Sequence, residues 1–500
     1  MDVVNGLLHG FGVVLGSANL LWCLVGVVLG TVVGVMPGLG PPATIAMLLP
    51  LTFQMDPTSA LIMLAGIYYG AKYGGSTTAI LLNVPGESAS VVTCLDGFAM
   101  AKRGRAGAAL GIAAIASFIA GTFGVIGLML IAPPLAKVAL SFSSPEYFAL
   151  MVLGLTMVVL LAGQSLVKAL LAMLVGLWVA GMGTDLFTST SRFTFGHSEL
   201  LDGIDVVVVA IGVFALGEVL ANMETGDGAS MLPVPRGLRN LWPSLRELKA
   251  CRFAFLNGSV IGFVIGVLPG AGSTIASFMA YGLEKAVSRH PERFGTGVPE
   301  GVAAPEGANN SETGGALVPM LTLGIAGSAT TAILLAALTL WGFKPGPLMI
   351  QEHPGLFWGL VASMYIGNVL LLVLNIPLIP LFAQMLTVPA YALYPVIVGV
   401  CMVGVYSVSG SLFDLWMLVG FGLLGYAMRK LDYPAAPLIL GLVLGDSMER
   451  ALRQSLMMSQ GDLAILVSRP IAATILGLAV IILAVPAFKH ARSRRLNPRP

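Results

Sequence analysis

The chain has 500 residues, of which 57% are hydrophobic and only 10% are charged, with a formal net charge of +2. Soluble domains carry about 25% charged residues, so this composition excludes an ordinary water-soluble protein. The small net charge says nothing about partners.

Apolar stretches of the length that crosses a bilayer as a helix recur along the chain. Examples lie at 106–131, 147–163, 206–220, 356–382 and 471–488. They are apolar on every face, whereas barrel strands alternate in polarity. The 62 glycines and 30 prolines favour close helix packing and broken helices within such segments. The sequence therefore predicts an all-α, polytopic membrane protein with about 11 or 12 membrane segments, including broken or re-entrant helices.

Catalytic and cofactor motifs are absent from the sequence. The four cysteines and five histidines are scattered without ligand spacing, so neither a disulfide framework nor a transition-metal site is predicted. No P-loop, His-Glu-x-x-His or serine-nucleophile motif occurs. We therefore expect neither an enzyme nor a cofactor, and any transport must be driven by an ion gradient or by another subunit. The N-terminus lacks the basic region of a cleavable signal.

Two segments of the chain repeat each other. Residues 30–40 read GTVVGVMPGLG, and residues 262–272, which lie 232 positions later, read GFVIGVLPGAG. A second pair follows at an offset of 240, where Gly74-Gly75 and a Ser-Ala-Ser match Gly314-Gly315 and a Ser-Ala-Thr. Two matches in the same order favour a duplication.

Basic residues predict how the two halves are oriented. Lys and Arg concentrate at 102–105, 236–252, 285–293 and 489–499, which the positive-inside rule makes cytoplasmic. The basic loop follows the Gly-Gly element in the first half and the Pro-Gly-x-Gly element in the second. Equivalent loops therefore fall on opposite sides, which predicts two inverted-topology repeats and a cytoplasmic C-terminus.

The predicted layout has three parts. Residues 1–222 form the first inverted repeat, 223–254 a basic cytoplasmic linker, and 255–500 the second inverted repeat with C-terminal helices. The stretch 434–460 mixes acidic and basic residues and is assigned to no element.

Each Pro-Gly-x-Gly motif predicts a break in a membrane helix. Proline removes a backbone donor and glycine permits unusual backbone angles, so the break leaves polar groups that protein, water or a ligand must satisfy. After the first break Pro41-Pro42 suits a new helix, and after the second Ser273 and Thr274 can cap one. Both new helices would direct free amides and a positive dipole end at one place, which predicts an anion site. The alternative is a pair of kinks for helix packing.

The Gly-Gly elements add hydroxyl, amide and carbonyl groups, which suit a carboxylate and a hard monovalent cation. Alternatively, the hydroxyls bond their own helix backbone. The residues predicted to bind the anion are Gly38, Leu39, Gly40, Lys72, Ser76, Thr77, Ser88, Gly270, Gly272, Ser273, Thr274, Asn310 and Ser328. The residues predicted to bind the cation are Pro37, Thr78, Asn83, Pro269, Asn309, Thr313 and Thr330.

Four ionisable residues near these elements allow more than one interpretation. A mid-membrane Lys72 is costly, and it can pair with a substrate carboxylate, extend to the interface or pair with a protein acid. Glu312 follows a polar stretch at 291–306 and is expected outside the membrane core. Glu87 and Asp96 precede basic residues and are expected to mark a cytoplasmic boundary.

Long motifs give the chain a specific resemblance over nearly its whole length. They are VMPGLGPPA at 35–43, YGAKYGGSTTAILLNVPGES at 69–88, DG at 96–97, GRAGAAL at 104–110, PEGANN at 305–310, GGALVP at 314–319 and LGIAGS at 323–328. In these motifs the chain resembles the large membrane subunit of the tripartite tricarboxylate transporters, the TctA family. Two positions depart from the family pattern: Lys72 stands where a neutral residue is expected, and Ala326 where proline is common.

The resemblance implies a bacterial inner-membrane permease that works with a small four-helix membrane subunit and a periplasmic solute-binding protein. It also implies uptake of a tri- or dicarboxylate such as citrate, coupled to a cation and specifically to Na⁺. One alternative is a channel or exporter of organic anions, which would not accumulate its substrate against a gradient. Another is a polytopic membrane enzyme, which would need ionisable residues converging at one depth.

Overall fold

The computed structural model describes residues 2–36, 40–161, 165–185, 187–224, 242–270, 272–385 and 390–496. Helices make up 81% of the protein. The strands in these ranges form one short antiparallel pair, β1 (Gly183–Thr184) with β2 (Ser191–Arg192). The predicted all-α class is confirmed.

The helices form two sets, one that ends at residue 224 and one that begins at residue 245, and corresponding helices follow one another in a similar order along the chain. The first set is α1 (Val3–Val14), α2 (Ser17–Val35), α3 (Pro41–Leu48), α4 (Pro57–Leu82), α5 (Val91–Thr93), α6 (Ala106–Ala139), α7 (Ser144–Leu161), α8 (Leu166–Ala180), α9 (Val206–Ala210) and α10 (Gly217–Glu224). The second set is α11 (Leu245–Ala250), α12 (Arg252–Val267), α13 (Gly272–Val287), α14 (Glu300–Leu323), α15 (Ala329–Leu340), α16 (Met349–Glu352), α17 (Pro354–Met385), α18 (Ala390–Ser409), α19 (Leu412–Lys430), α20 (Ala435–Met458), α21 (Ile465–Ser468) and α22 (Pro470–Leu496).

Shorter turns connect these helices. Those of 3₁₀ type are Leu49–Thr52, Ser88–Ser90, Ser198–Leu200 and Pro291–Arg293, and those of π type are Cys94–Phe98, Ala101–Arg105 and Ile211–Leu216. The π turn at Ile211–Leu216 joins α9 to α10.

The helices α4 and α14 form the centre of the protein and are buried along almost their whole length. Both are rich in small residues and have little amphipathic character, as expected of helices enclosed by others. Local sequence sets the ends of α4. Asp56 accepts hydrogen bonds from the amides of Thr58 (3.0 Å) and Ser59 (3.2 Å), Pro57 occupies the first helical position, and Asn83 ends the helix in the left-handed region.

Glycines bring one helix against each of these central helices. A Cβ at Gly34 on α2 would lie 2.2 Å from the Ala71 carbonyl oxygen on α4. A Cβ at Gly266 on α12 would lie 2.5 Å from the Glu312 carbonyl oxygen on α14. The glycines that make these contacts, one helical turn apart, are Gly26, Gly30 and Gly34 on α2, and Gly258, Gly262 and Gly266 on α12. Backbones in such direct contact are typical of helix packing in membranes.

These contacts correct the register of the predicted repeat. The contact of Gly30 with Ile67 corresponds to that of Gly262 with Ala308, so the central helices match at an offset of 241. The left-handed C-caps Asn83 and Gly324 show the same spacing. The predicted offset of 240 is therefore wrong by one residue for this element. The reason is that the sequence comparison aligned the two Gly-Gly pairs with each other, whereas the structural comparison aligns the residues that contact the neighbouring helix.

Five described helical segments are long and apolar enough to cross a membrane: Ala18–Val35, Ala101–Ala139, Val206–Glu224, Pro354–Asn375 and Leu412–Lys430. Seven shorter apolar helices accompany them: Val3–Val14, Pro41–Thr52, Leu166–Ala180, Arg252–Val267, Ala329–Leu340, Tyr394–Ser407 and Pro470–Leu483. These helices show a multi-pass membrane protein. The number of 11 or 12 segments and the three-part layout stay predictions, since residues 225–241 of the linker lie outside the described ranges.

Two of the basic stretches predicted to be cytoplasmic, 102–105 and 236–252, adjoin each other, and a loop that follows 285–293 lies against the residues just before 102. Arg105 forms an ion pair with Glu247, and Gly297 lies against the backbone of Met100. The tail beyond residue 496 lies outside the described ranges. The side of the membrane that these stretches face stays a prediction.

The stretch 434–460, which the sequence leaves unassigned, contains α20, and the polar second half of this helix holds the loop between α8 and α9. Arg192 donates to Glu449 at 2.8 Å, and Arg453 lies 2.9 Å from Asp185. The amide of Phe187, the amide of Thr188 and the two arginines together hold the pKa of Asp185 below its usual range. This ion-pair network explains the charges of 434–460.

Candidate functional site

The two Pro-Gly-x-Gly motifs lie where helices end and restart, as predicted. The helix α2 ends at Val35 and α3 begins at Pro41, while α12 ends at Val267 and α13 begins at Gly272. Pro37, Gly38, Leu39 and Ala271 lie outside the described residues. Gly270 and Gly272 have φ angles of +84° and +64°, a region in which side chains cause strain.

Two companion breaks lie beside them, one after α4 and one after α14. Each begins at a left-handed C-cap, and each ends at a capping box, formed by Glu87 with Ser90 and by Ser328 with Thr331. The amide of Gly270 donates to the carbonyl of Gly327 at 2.7 Å, which joins the second Pro-Gly-x-Gly break to its companion.

A hydrogen bond between side chains that both lie at breaks joins the two halves. The hydroxyl oxygens of Ser88 and Thr274 are 2.8 Å apart. Ser273 and Thr274 were predicted to cap α13, but the structure places both inside its first turn. The Thr274 hydroxyl contacts the other half of the protein instead. Ser88 is exposed, so this contact lies at the accessible edge of the breaks.

A buried ion pair lies between α4 and α14, behind that edge. The Nζ atom of Lys72 is 2.5 Å from Oε2 of Glu312 and 2.8 Å from the carbonyl oxygen of Asn309. The two side chains are 0% and 1% exposed. Tyr68 donates to the same Glu312 oxygen at 3.2 Å, and its ring centre lies 4.8 Å from the ammonium. Lys72 is thus paired with a protein acid, one of its three predicted roles.

Two further carboxylates lie beside this pair. Asn309 donates to Glu87 at 2.6 Å. Ser76 and Thr93 each donate to one oxygen of Glu306 at 2.5 Å. We call Lys72, Glu87, Glu306, Asn309 and Glu312 the buried polar cluster.

The buried polar cluster contains three carboxylates and one ammonium group, so its acidic groups outnumber its cation. Burying an uncompensated charge costs several kcal/mol. Four buried oxygen atoms on α14 have no hydrogen-bond partner within the described ranges: Asn309 Oδ1, Asn310 Oδ1, Glu312 Oε1 and Thr313 Oγ1. Oxygen atoms of these types are ligands for hard cations. The arrangement can therefore accept a proton or a monovalent cation.

Comparison with known proteins agrees with this membrane architecture. The profile of the tripartite tricarboxylate transporter TctA family matches residues 20–440. The chain belongs to the TctA family. Membership makes it a transporter-family protein, and the resemblance stated from its motifs is confirmed.

Two relatives of this TctA-family protein come from Agrobacterium vitis. One, described as an uncharacterized 52.8 kDa protein in the TAR-I ttuC' 3'region, is 47% identical over 99% of both chains. The other, described as an uncharacterized protein in the TAR-II ttuC' 3'region, is 44% identical over 47% of this chain and 97% of its own length. No solved structure matches.

One expectation about the acidic residues in this TctA-family protein is wrong, that for Glu312, while the cytoplasmic boundary expected at Glu87 and Asp96 stays a prediction. Glu312 lies in the core of the protein, because α14 starts at Glu300 and is buried along almost its whole length, including the end of the polar stretch. Glu87 is 7% exposed and belongs to the buried polar cluster. Asp96 is buried outside that cluster, where it accepts hydrogen bonds from the Tyr281 hydroxyl and from the amides of Gly295, Gly297 and Val298.

The other predicted ligands have different surroundings. Thr78 bonds the Gly75 carbonyl of its own helix at 3.0 Å, as the alternative interpretation holds. Asn310 donates to Ser117 at 2.7 Å and to the carbonyl of Glu306 at 3.0 Å. Gly40 caps α3, Thr77 is buried within α4, and Thr330 is buried in α15. Asn83 and Pro269 lie in the breaks themselves.

Sequence reasoning missed Glu306, Tyr68 and Thr93 as members or neighbours of the buried polar cluster. The signal that could have identified Glu306 is an acid within a membrane helix, which is a functional candidate by default. Tyr68 and Thr93 gave no such signal, since a tyrosine or threonine is common in helices of this kind. These side chains help to bring together the converging ionisable groups that the sequence did not reveal.

A cavity of about 810 Å³ opens at the end of the protein that holds the loop between α8 and α9. We call it the vestibule. Gly324, Leu335 and Ala336 are among its lining residues, so it reaches the companion break after α14. Its charged lining residues are Glu199, Asp202, Asp205, Asp414, Asp446, Lys344 and Arg450. Acidic groups predominate in this lining, which favours cations.

Proposed function

We propose that this chain is the permease subunit of a binding-protein-dependent tripartite transporter, and that it takes up a tri- or dicarboxylate such as citrate together with Na⁺. The family match is the observation that carries the transport role. The partners we propose are a small four-helix membrane subunit and a periplasmic solute-binding protein. The location we propose is the bacterial inner membrane, with the C-terminus in the cytoplasm.

The proposed anion site lies at the four breaks. Support comes from the Ser88–Thr274 contact of 2.8 Å, which brings the breaks of both halves together. Amides at the start of α13 and the hydroxyls of these two residues are suitable donors to a carboxylate. The repeated glycine contacts of α2 and α12 support two repeats, which we propose are inverted.

The proposed cation site lies on α14, where Asn309 and Thr313 have unpartnered oxygen atoms among the described residues. We propose that the vestibule faces the periplasm, and its acidic lining supports cation entry from that side. The same acidic lining repels a free carboxylate, which gives a physical reason for delivery by a binding protein.

Uptake by proteoliposomes that contain all three subunits tests the proposal. We expect labelled citrate to accumulate against its gradient when Na⁺ is high outside and the binding protein is present. Accumulation that persists without Na⁺ would refute the coupling. Efflux or equilibration without accumulation would favour a channel or exporter instead.

Two variants test the site in the same assay. We expect Gly270→Leu to abolish uptake, because Gly270 has a φ of +84° that leucine does not adopt easily, and we expect the same result for Gly38→Leu, its counterpart in the repeated sequence. Gly282→Leu in α13 is the matched control, since a Cβ at Gly282 meets nothing within 4 Å. Normal uptake by folded Gly270→Leu protein would remove the breaks from the proposed site.

A further inference from the structure

The two carboxylate oxygens of Glu312 have different surroundings. Oε2 lies 2.5 Å from the Lys72 ammonium and accepts a hydrogen bond from Tyr68. Oε1 is buried and has no hydrogen-bond partner in the described part of the chain. Half of the ligand capacity of this carboxylate is therefore unused.

Neighbouring oxygen atoms on α14 can complete a set of ligands around that unused oxygen. Asn309 lies three residues before Glu312 and four before Thr313, spacings that place side chains on adjoining parts of a helix surface. Asn309 Oδ1 and Thr313 Oγ1 are buried and unpartnered within the described ranges. A cavity of about 10 Å³, the size of one water-sized sphere, adjoins Thr313 on the side where Asn310 and Asn368 also line it, and Asn309 and Glu312 lie outside its lining.

We propose that Glu312 exchanges partners during transport. In the substrate-free protein it is paired with Lys72. When a substrate carboxylate takes Lys72, Glu312 binds a monovalent metal cation through Oε1, with Asn309 Oδ1 and Thr313 Oγ1 as further ligands. This exchange rests on the proposed function and specifies how carboxylate and cation are coupled.

Charge balance makes the exchange obligatory. A carboxylate that binds Lys72 leaves the buried charge of Glu312 without its partner, which is strongly unfavourable. One monovalent cation replaces the positive charge that Glu312 has lost, so one cation accompanies each carboxylate group that reaches Lys72. The coupling is reciprocal, since a cation on Glu312 equally releases Lys72 for the substrate.

Titration of the purified full-length chain with Na⁺ tests this inference. The thermal unfolding temperature is measured at constant ionic strength, with choline as the replacing cation. We expect Lys72→Met to lower the Na⁺ concentration of half-maximal stabilisation at least tenfold, because Glu312 no longer has its internal partner. Lys72→Arg, which keeps the charge, should stay within threefold of the wild type.

Removal of the carboxylate gives the opposite result. We expect Glu312→Gln and the double variant Lys72→Met/Glu312→Gln to lose the stabilisation by Na⁺. The double variant removes both charges and so avoids an unpaired buried charge. A Lys72→Met midpoint within twofold of the wild type, or a Glu312→Gln protein that keeps the wild-type response, would overturn the exchange.

Citrate separates the exchange from the proposed substrate. We expect saturating citrate to lower the Na⁺ midpoint of the wild type tenfold and that of Lys72→Met less than twofold. Citrate that stabilises neither protein would contradict citrate as the substrate. The Na⁺ titrations of the variants would still decide the exchange.

Discussion

The two central helices have the same backbone environment and different side-chain chemistry. Each is crossed by a glycine-bearing helix, each ends at a left-handed residue, and each leads to a capping box. Yet α4 contributes the ammonium of Lys72, whereas α14 contributes the carboxylates of Glu306 and Glu312. At the offset of 241 Lys72 corresponds to Thr313, so the ion pair does not join equivalent positions. The scaffold is repeated while the chemistry is divided between the halves.

Breaking the ion pair should have the largest effect. We expect Lys72→Met or Glu312→Gln alone to lower the free energy of unfolding by about 3–5 kcal/mol in the absence of Na⁺, because each leaves one buried group without its partner. The double variant should lose less than the more damaging single variant. Denaturation in detergent measures this, and strictly additive losses would contradict direct pairing.

The shared scaffold predicts equal effects in the two halves. We expect Gly34→Ala and Gly266→Ala each to cost about 1–3 kcal/mol, because the added Cβ would meet a backbone oxygen on the central helix. Gly12→Ala and Gly282→Ala are matched controls with nothing within 4 Å of the added atom. Thermal unfolding compares all four, and a cost in only one half would count against a repeated scaffold.

The contact between the halves at the breaks should contribute less to the free energy of unfolding than the glycine contacts do. We expect Ser88→Ala and Thr274→Val each to cost about 0.5–1.5 kcal/mol, the usual net value of one hydrogen bond. The double variant should cost no more than either single variant. A double-mutant cycle on the unfolding free energy measures the coupling, and a coupling of zero would show that the hydroxyls act independently.

The smallest expected effect concerns Asp185, which lies far from the central helices α4 and α14. Its pKa is held below the usual range, so its hydrogen bonds stabilise the loop above the ordinary aspartate pKa and are lost as the pH falls through the lowered value. We expect the amides of Phe187 and Thr188 to be protected from hydrogen exchange at neutral pH and to lose protection only once the pH falls below the ordinary pKa of an aspartate. In Asp185→Asn this pH dependence should be absent, and its persistence there would assign it to another group.

Several features of the protein were predictable because they depend on local sequence. The helices restart at Pro41 and Gly272 because proline and glycine act on the backbone where they stand. The left-handed end of α4 at Asn83 is likewise local, because asparagine adopts that region more readily than most residues. By contrast, Glu312 was misplaced, because the burial of an acid depends on which helices surround it.

The sequence by itself determined the membrane class, the repeated breaks and the family. These follow from composition, from residues with special backbone preferences and from long motifs. Only the tertiary structure decided that Lys72 meets Glu312, that Glu306 is held by Ser76 and Thr93, and that the central helices match at 241. Contacts between residues more than 200 positions apart depend on how the helices pack, and the local sequence of one helix does not fix which helix its small residues will face.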